Sequence, residues 1–127
     1  MIPEELRYTQ EHEWVESTGE DTVRVGITDY AQSQLGDVVF VQLPEAGAPV
    51  TPGKPVGEVE STKSVSDIFA PLAGQVVARN SDLDGSPELV NSDPYGAGWM
   101  VEIRLSDPSE LGSLLTAEEY RRLIEGT

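Results

Sequence analysis

The sequence predicts a single domain that is mostly β with a small helical C-terminus, and three observations predict it. Short runs dense in β-branched and aromatic residues recur along the chain, glycine and proline separate them, and helical apolar periodicity is confined to a few short stretches. The chain has 127 residues, enough for one modest hydrophobic core, and no linker, low-complexity tract or tandem repeat divides it.

Taken in order, HEWVES (12–17) and TVRVGI (22–27) flank TGED and read as a hairpin with a short turn. TDYAQSQLG (28–36) predicts a short helix capped by Asp29, with Gln32 three residues on and Gly36 as a left-handed stop. DVVFVQL (37–43) is a strand that ends at the turn region PEAGAPVTPG (44–53). KPVGEVES (54–61) and VSDIFAPLAGQVVARN (65–80) are extended and enclose a short tip. NSDLDGSPELVNSDPYGAGW (80–99) reads as a long polar loop without periodicity; Trp99 is expected to anchor the core, and no chemistry is assigned here. WMVEIRL (99–105) alternates apolar and polar positions, as a half-buried strand does.

The final stretch, about 107–125, predicts helix in two pieces. Asp107 suits an N-cap, Pro108 the first helical position, and Glu110 sits three residues after the cap. Thr116 and Glu119 then form a capping-box pattern, with Tyr120, Leu123 and Ile124 on one face to cover an end of the sheet system.

Composition narrows the chemistry. There are no cysteines, which excludes disulfides, thiolate metal sites and cysteine nucleophiles. The one histidine, His12, argues against an imidazole metal cage or a Ser/His/Asp triad; it reads as a surface or packing residue. No phosphate loop or nucleophile–base pairing appears, so an enzyme is the weakest reading. The formal charge of −15 repels nucleic acid and anionic membranes and favours solubility and basic partner surfaces. No apolar run is long enough to span a membrane. The N-terminal residues lack a secretory signal and are too acidic and short for a transit peptide. The expected compartment is the bacterial cytoplasm, or the mitochondrion only if a transit peptide has been removed.

Of eight bases, only Lys54 and Lys63 are lysines, the residues able to lose a proton and accept an acyl group. Lys54 lies in the turn TPGKPV and reads as a solvated charge. Lys63 sits on the tip Ser61-Thr62-Lys63-Ser64 between two strands, beside small hydroxyls that leave room for another protein. Glu58, Glu60 and Asp67 are expected to surround it and favour its protonated form. Such a lysine is a substrate for a modifying enzyme rather than a catalyst, although many tip lysines are merely solvated.

Five segments in order, HEWV (12–15), VGITDYAQSQLGDVVFVQLPEAG (25–47), VGEVESTKSVSDIFAPLAGQVVARN (56–80), LVNSDPYGAGWMVEIRL (89–105) and LLTAEEY (114–120), resemble the glycine cleavage H-protein family. The resemblance covers nearly the whole chain. It implies a flattened barrel-sandwich hybrid of the lipoyl-domain type, with added short helices and the lipoyl hairpin at about 56–80. It implies lipoic acid bound covalently to Lys63, and Glu60 as a recognition acid for the lipoate-attaching enzyme. The implied role is a non-catalytic carrier of the aminomethyl group derived from glycine. Its implied partners are the pyridoxal-phosphate-dependent glycine decarboxylase (P protein), the folate-dependent aminomethyltransferase (T protein) and dihydrolipoyl dehydrogenase (L protein). The loaded arm is expected to fold into a cleft where Glu13 pairs with its amine and Ile27, Leu35 and Asp67 serve as lining. Gln34 stands where many relatives have a histidine. On sequence alone, Glu13 reads rather as an exposed strand residue.

Other tip-lysine carriers fit less well. Biotin carriers favour methionines beside the lysine, and here Met1 and Met100 are elsewhere. Lipoyl domains of dehydrogenase complexes are tethered by long linkers. A lipoyl relay, or an unmodified interaction module of the same fold, remains open on these residues.

Overall fold

The computed structural model describes residues 2–126. In chain order the strands are β1 (Arg7–Tyr8), β2 (Glu13–Ser17), β3 (Thr22–Ile27), β4 (Val38–Gln42), β5 (Pro49–Val50), β6 (Pro55–Ser61), β7 (Val65–Phe69), β8 (Gly74–Arg79) and β9 (Val101–Leu105). Helix α1 (Asp29–Leu35) precedes β4, α2 (Asp82–Gly85) and α3 (Leu89–Ser92) lie between β8 and β9, and α4 (Ala117–Glu125) follows β9.

Among the described residues the strands form two sheets and no closed barrel. The larger has the order β1-β2-β3-β9-β8-β5 and the smaller β4-β6-β7, all neighbours antiparallel. Alternation sets the faces: Val23 and Val25 of β3, and Val101, Ile103 and Leu105 of β9, point into one buried cluster with Val15, Val50 and Val76. A second cluster joins the smaller sheet, through Val41, Val59 and Ile68, to Leu83, Val90 and Met100. A third, around Tyr8, Trp14 and Tyr120, lies under α4.

Several expectations change. Two-residue strands β1 and β5 lie in stretches read as turn or left unassigned, because a pair of residues carries no periodicity. The 80–99 stretch is not loop throughout; it holds the single turns α2 and α3, each of which buries one residue, Leu83 and Val90. Helix α1 is capped by Thr28, not Asp29: the Thr28 side chain accepts from Ala31 N at 3.2 Å, and Asp29 is the first helical residue. Asp107 caps as expected, but Pro108–Ser113 is a 3-10 helix, with i→i+3 bonds such as Leu114 N to Leu111 O. The capping box of Thr116 and Glu119 forms as read.

The buried tryptophan is Trp14, fully enclosed and donating from Nε1 to Pro94 O at 2.9 Å; Trp99 is half-buried under the Arg24 guanidinium. Trp14 pairs with Gly26 across the ladder, where a Cβ would come within 2.7 Å of the ring, so only glycine accommodates the indole.

Candidate functional site: a lysine hairpin beside an acid-floored cavity

Strands β6 and β7 pair from Pro55↔Phe69 to Glu60↔Val65, leaving Ser61–Ser64 as the turn. Ser61 builds this turn from within. Its N–H donates to Ser64 O at 2.8 Å, and its buried hydroxyl oxygen accepts from the N–H groups of Lys63 and Ser64, each at 3.1 Å. Thr62 N donates to Asp37 O at 3.0 Å, which fastens the tip to the segment before β4. The backbone under Lys63 is therefore held at several points while its side chain is exposed.

That side chain does not stand free of the surface. It crosses Gly36 just after α1, where a Cβ would lie 3.1 Å from Lys63 Cε. Gly36 has φ +82° and ψ −160°, a positive-φ conformation open essentially to glycine but extended in ψ, so the helix stops without the left-handed α geometry expected of it. Asn91 fixes this corner: its amide donates to Gly36 O and to Gln32 Oε1, both at 2.9 Å, and its carbonyl accepts from Val38 N at 2.8 Å. Among the described residues, the acids expected around Lys63 make no ion pair with it within 4.0 Å. Glu60 pairs with Val65 and Glu58 with Asp67, so they run down the strands.

A cavity of about 390 Å³ opens next to the turn, between the β2–β3 end, α1 and β7. Leu35 and Ser64, the chain neighbours of Gly36 and Lys63, both line it. So do Glu13, Ile27, Gln34 and Asp67, which brings all five cleft residues expected from sequence onto one wall system. His12 and Tyr30 complete the side nearest α4.

Glu13 is the correction of most consequence: it is not an exposed strand residue but 1% exposed. One carboxylate oxygen accepts from Phe69 N at 2.7 Å and the other from Thr9 Oγ1 at 3.2 Å. Burial pushes its pKa up to about 8, against the pull of those hydrogen bonds. The turn leading to it explains its aim. His12 N donates to Thr9 O, and His12 takes φ +68°, a left-handed conformation in which histidine is one of the more frequent non-glycine residues.

His12 is a packing residue, as read. Its ring lies 4.9 Å from Tyr30, Nδ1 is 2.9 Å from Tyr120 Oη, and burial lowers its pKa. Tyr120 Oη also meets Thr28 Oγ1 at 2.7 Å. One hydroxyl thus links α4 to both the α1 cap and the cavity wall. Among the described residues no group of three or more His, Asp or Glu side chains is placed to hold a metal ion, and no helix is long and apolar enough to cross a membrane.

The family model described as Glycine cleavage H-protein matches residues 6–127. This chain belongs to that family. Its relatives include the glycine cleavage system H protein of Mycobacterium avium, 65% identical over 124 residues that cover 94% of each chain. That of Mycolicibacterium smegmatis is 65% identical over 126 residues, covering 97% of this chain and 96% of the relative. The crystal structure of a glycine cleavage system H protein from Mycobacterium marinum superposes with a TM-score of 0.88 at 46% identity, covering 99% of this chain and all of that one. H proteins are carrier subunits of the glycine cleavage system, not catalysts, and the family carries lipoate.

Three contributors to this H-protein site were missed by sequence reasoning. Ser61 had a signal, since a serine opening a tight turn bonds its own backbone two and three residues on. Tyr30 had only its place on α1. Asn91 had none, because its partners are 53–59 residues away.

Proposed function

We propose that this chain is the lipoylated carrier of a glycine cleavage system, with the arm on Lys63. One observation carries the reading: of the two lysines, only Lys63 stands on a hydrogen-bonded hairpin tip, at the mouth of a cavity with a buried acid. Lys54 sits in an exposed turn before β6.

The residues fit such an arm. The Lys63 amine is exposed enough to be acylated, and Gly36 leaves the groove in which its methylenes lie. When bound, the lipoyl group supplies a disulfide that accepts and carries a one-carbon unit. The chain then has three tasks. The Ser61 turn holds the attachment point, so that a flexible tether presents the reactive end at high local concentration. Ile27, Leu35 and Ile68 form an apolar wall that excludes water from a docked arm. Glu13 receives a cationic amine; such a partner favours its ionised form, so docking is linked to release of the Glu13 proton. Gln34, an exposed amide on the same wall, takes the place of the histidine common in relatives and offers a neutral contact.

The partners follow from the family: a pyridoxal-phosphate-dependent glycine decarboxylase, a folate-dependent aminomethyltransferase, dihydrolipoyl dehydrogenase, and a lipoate-attaching enzyme that reads Glu60. The proposed compartment is the cytoplasm. Peptide mass spectrometry of protein from its native host is expected to find lipoyl on Lys63 and none on Lys54, and Lys63→Arg to remove it. An unmodified Lys63 in glycine-grown cells would overturn the reading. Glycine–bicarbonate exchange with the decarboxylase then separates a glycine carrier from a lipoyl relay.

A further inference from the structure

Three large apolar side chains stand in water near the hairpin tip: Val39, Phe40 and Val65 are 48%, 54% and 59% exposed. Single exposed apolar residues are ordinary, but these are neighbours. The register Phe40↔Glu60↔Val65 sets a row across the outer face of the smaller sheet, with cross-strand Cβ atoms about 5 Å apart. Val39 joins the row through an irregularity. The ladder shifts between Val38 and Phe40, so Val38 and Val41 are both buried and the two residues between them both face out. Strict alternation would have placed only one of them outside.

The next row on that face is Gln42, Glu58 and Asp67. The two rows hold three carboxylates and no base. A second copy seated here by two-fold symmetry would bring these acids against one another. A basic rim around an apolar recess complements the face instead.

We propose that Val39, Phe40 and Val65 form the apolar centre of the surface on which the enzyme that acylates Lys63 docks, with Glu58, Glu60 and Asp67 pairing with basic side chains at its edge. Val65 lies two residues from Lys63, so an enzyme seated on this row has the amine within reach of its active site. The proposal rests on the reading of Lys63 as the acylated residue and adds what the enzyme grips.

The test is acylation of the apo chain by the host lipoate-attaching enzyme with lipoyl adenylate, followed by intact mass. Phe40→Ser is expected to raise KM about tenfold with kcat within about twofold, Val65→Ser to act in the same direction, and Phe40→Leu to stay near wild type. Glu60→Ala is expected to raise KM with the fold retained. Circular dichroism and melting establish folding; if Phe40→Ser does not fold, Val65→Ser on the edge strand decides. Wild-type KM in the folded serine variants overturns the docking surface alone. A wild-type dimer that Phe40→Ser dissolves, seen by sedimentation, overturns it in favour of a second copy. A wild type that is never acylated at Lys63 removes both this proposal and the reading beneath it.

Discussion

Glu13 shows how much one side chain can depend on burial. As a free carboxyl its ordinary pKa is 4.5; enclosed in β2, it rises to about 8. Between those values the folded chain holds a proton that the unfolded chain has lost. The protonated acid therefore stabilises the fold fully below about pH 4.5, and that contribution drains away as pH rises to about 8. A tenfold change in a protonation equilibrium is worth about 1.4 kcal/mol, so the loss over this interval is at most about 5 kcal/mol. Glu13→Gln keeps the shape, stays neutral and still accepts from Phe69 N. It is expected to be more stable than wild type at pH 8.5 by about 2 kcal/mol or more and near wild type at pH 5, measured by urea unfolding. Equal stability differences at both pH values would show that Glu13 does not titrate in this interval. Sequence offered a carboxylate in HEW but no cue to its burial, because that depends on Phe69, 56 residues away, and on the turn at His12.

Among the elements, α4 does more than cover an end of the sheet. Its amphipathic face was plain in Tyr120, Leu123 and Ile124, and its capping box in Thr116 and Glu119. What the pattern could not convey is that the Tyr120 hydroxyl reaches both the Thr28 cap of α1 and His12, while its ring stacks on Tyr8 with centroids 4.7 Å apart. Tyr120→Phe retains the stacking and removes both hydrogen bonds, so buried Thr28 Oγ1 keeps only Ala31 N and half-buried His12 Nδ1 loses its Tyr120 partner. A cost of about 1–3 kcal/mol is expected in denaturant unfolding, with the extra loss in His12 and Tyr30 order visible as NMR line broadening at the cavity wall. A variant with wild-type stability would mean that water replaces the lost partner. The elements that carry periodicity, composition or capping signals were legible: β2, β3, β4, β6, β7, β8, β9, α1 and α4. Those made by context were not. The strands β1 and β5, and the turns α2 and α3, exist because neighbouring strands and buried Leu83 and Val90 hold them. Likewise, Lys63 was legible as a tip residue, whereas its contact with Gly36 depends on Asn91 joining two distant corners.

Across the whole molecule, the acidity acts on encounter rather than on the fold. The chain carries 23 acids against 8 bases, and among the described residues the exposed ion pairs, such as Arg122–Glu118 at 2.8 Å, are worth little stability. A charge of −15 on one small domain instead produces a field felt by any basic partner surface before contact. Such steering reaches over about one Debye length, roughly 10 Å at 0.1 M salt and 3 Å at 1 M. A carrier that must visit several enzymes in turn gains from fast arrival and weak holding, which is what a diffuse field with a small contact surface provides. Raising salt from about 50 mM to 500 mM is therefore expected to lower kcat/KM for Lys63 acylation by about tenfold, with kcat nearly unchanged. The apolar row at Phe40 responds differently, since burial of apolar surface is not screened. Phe40→Ser should thus lower kcat/KM by a similar factor at both salt concentrations, whereas Glu60→Ala should matter more at low salt. A salt-independent kcat/KM in the wild type would show that the acidic surface serves solubility and leaves partner encounter to the contact surface alone.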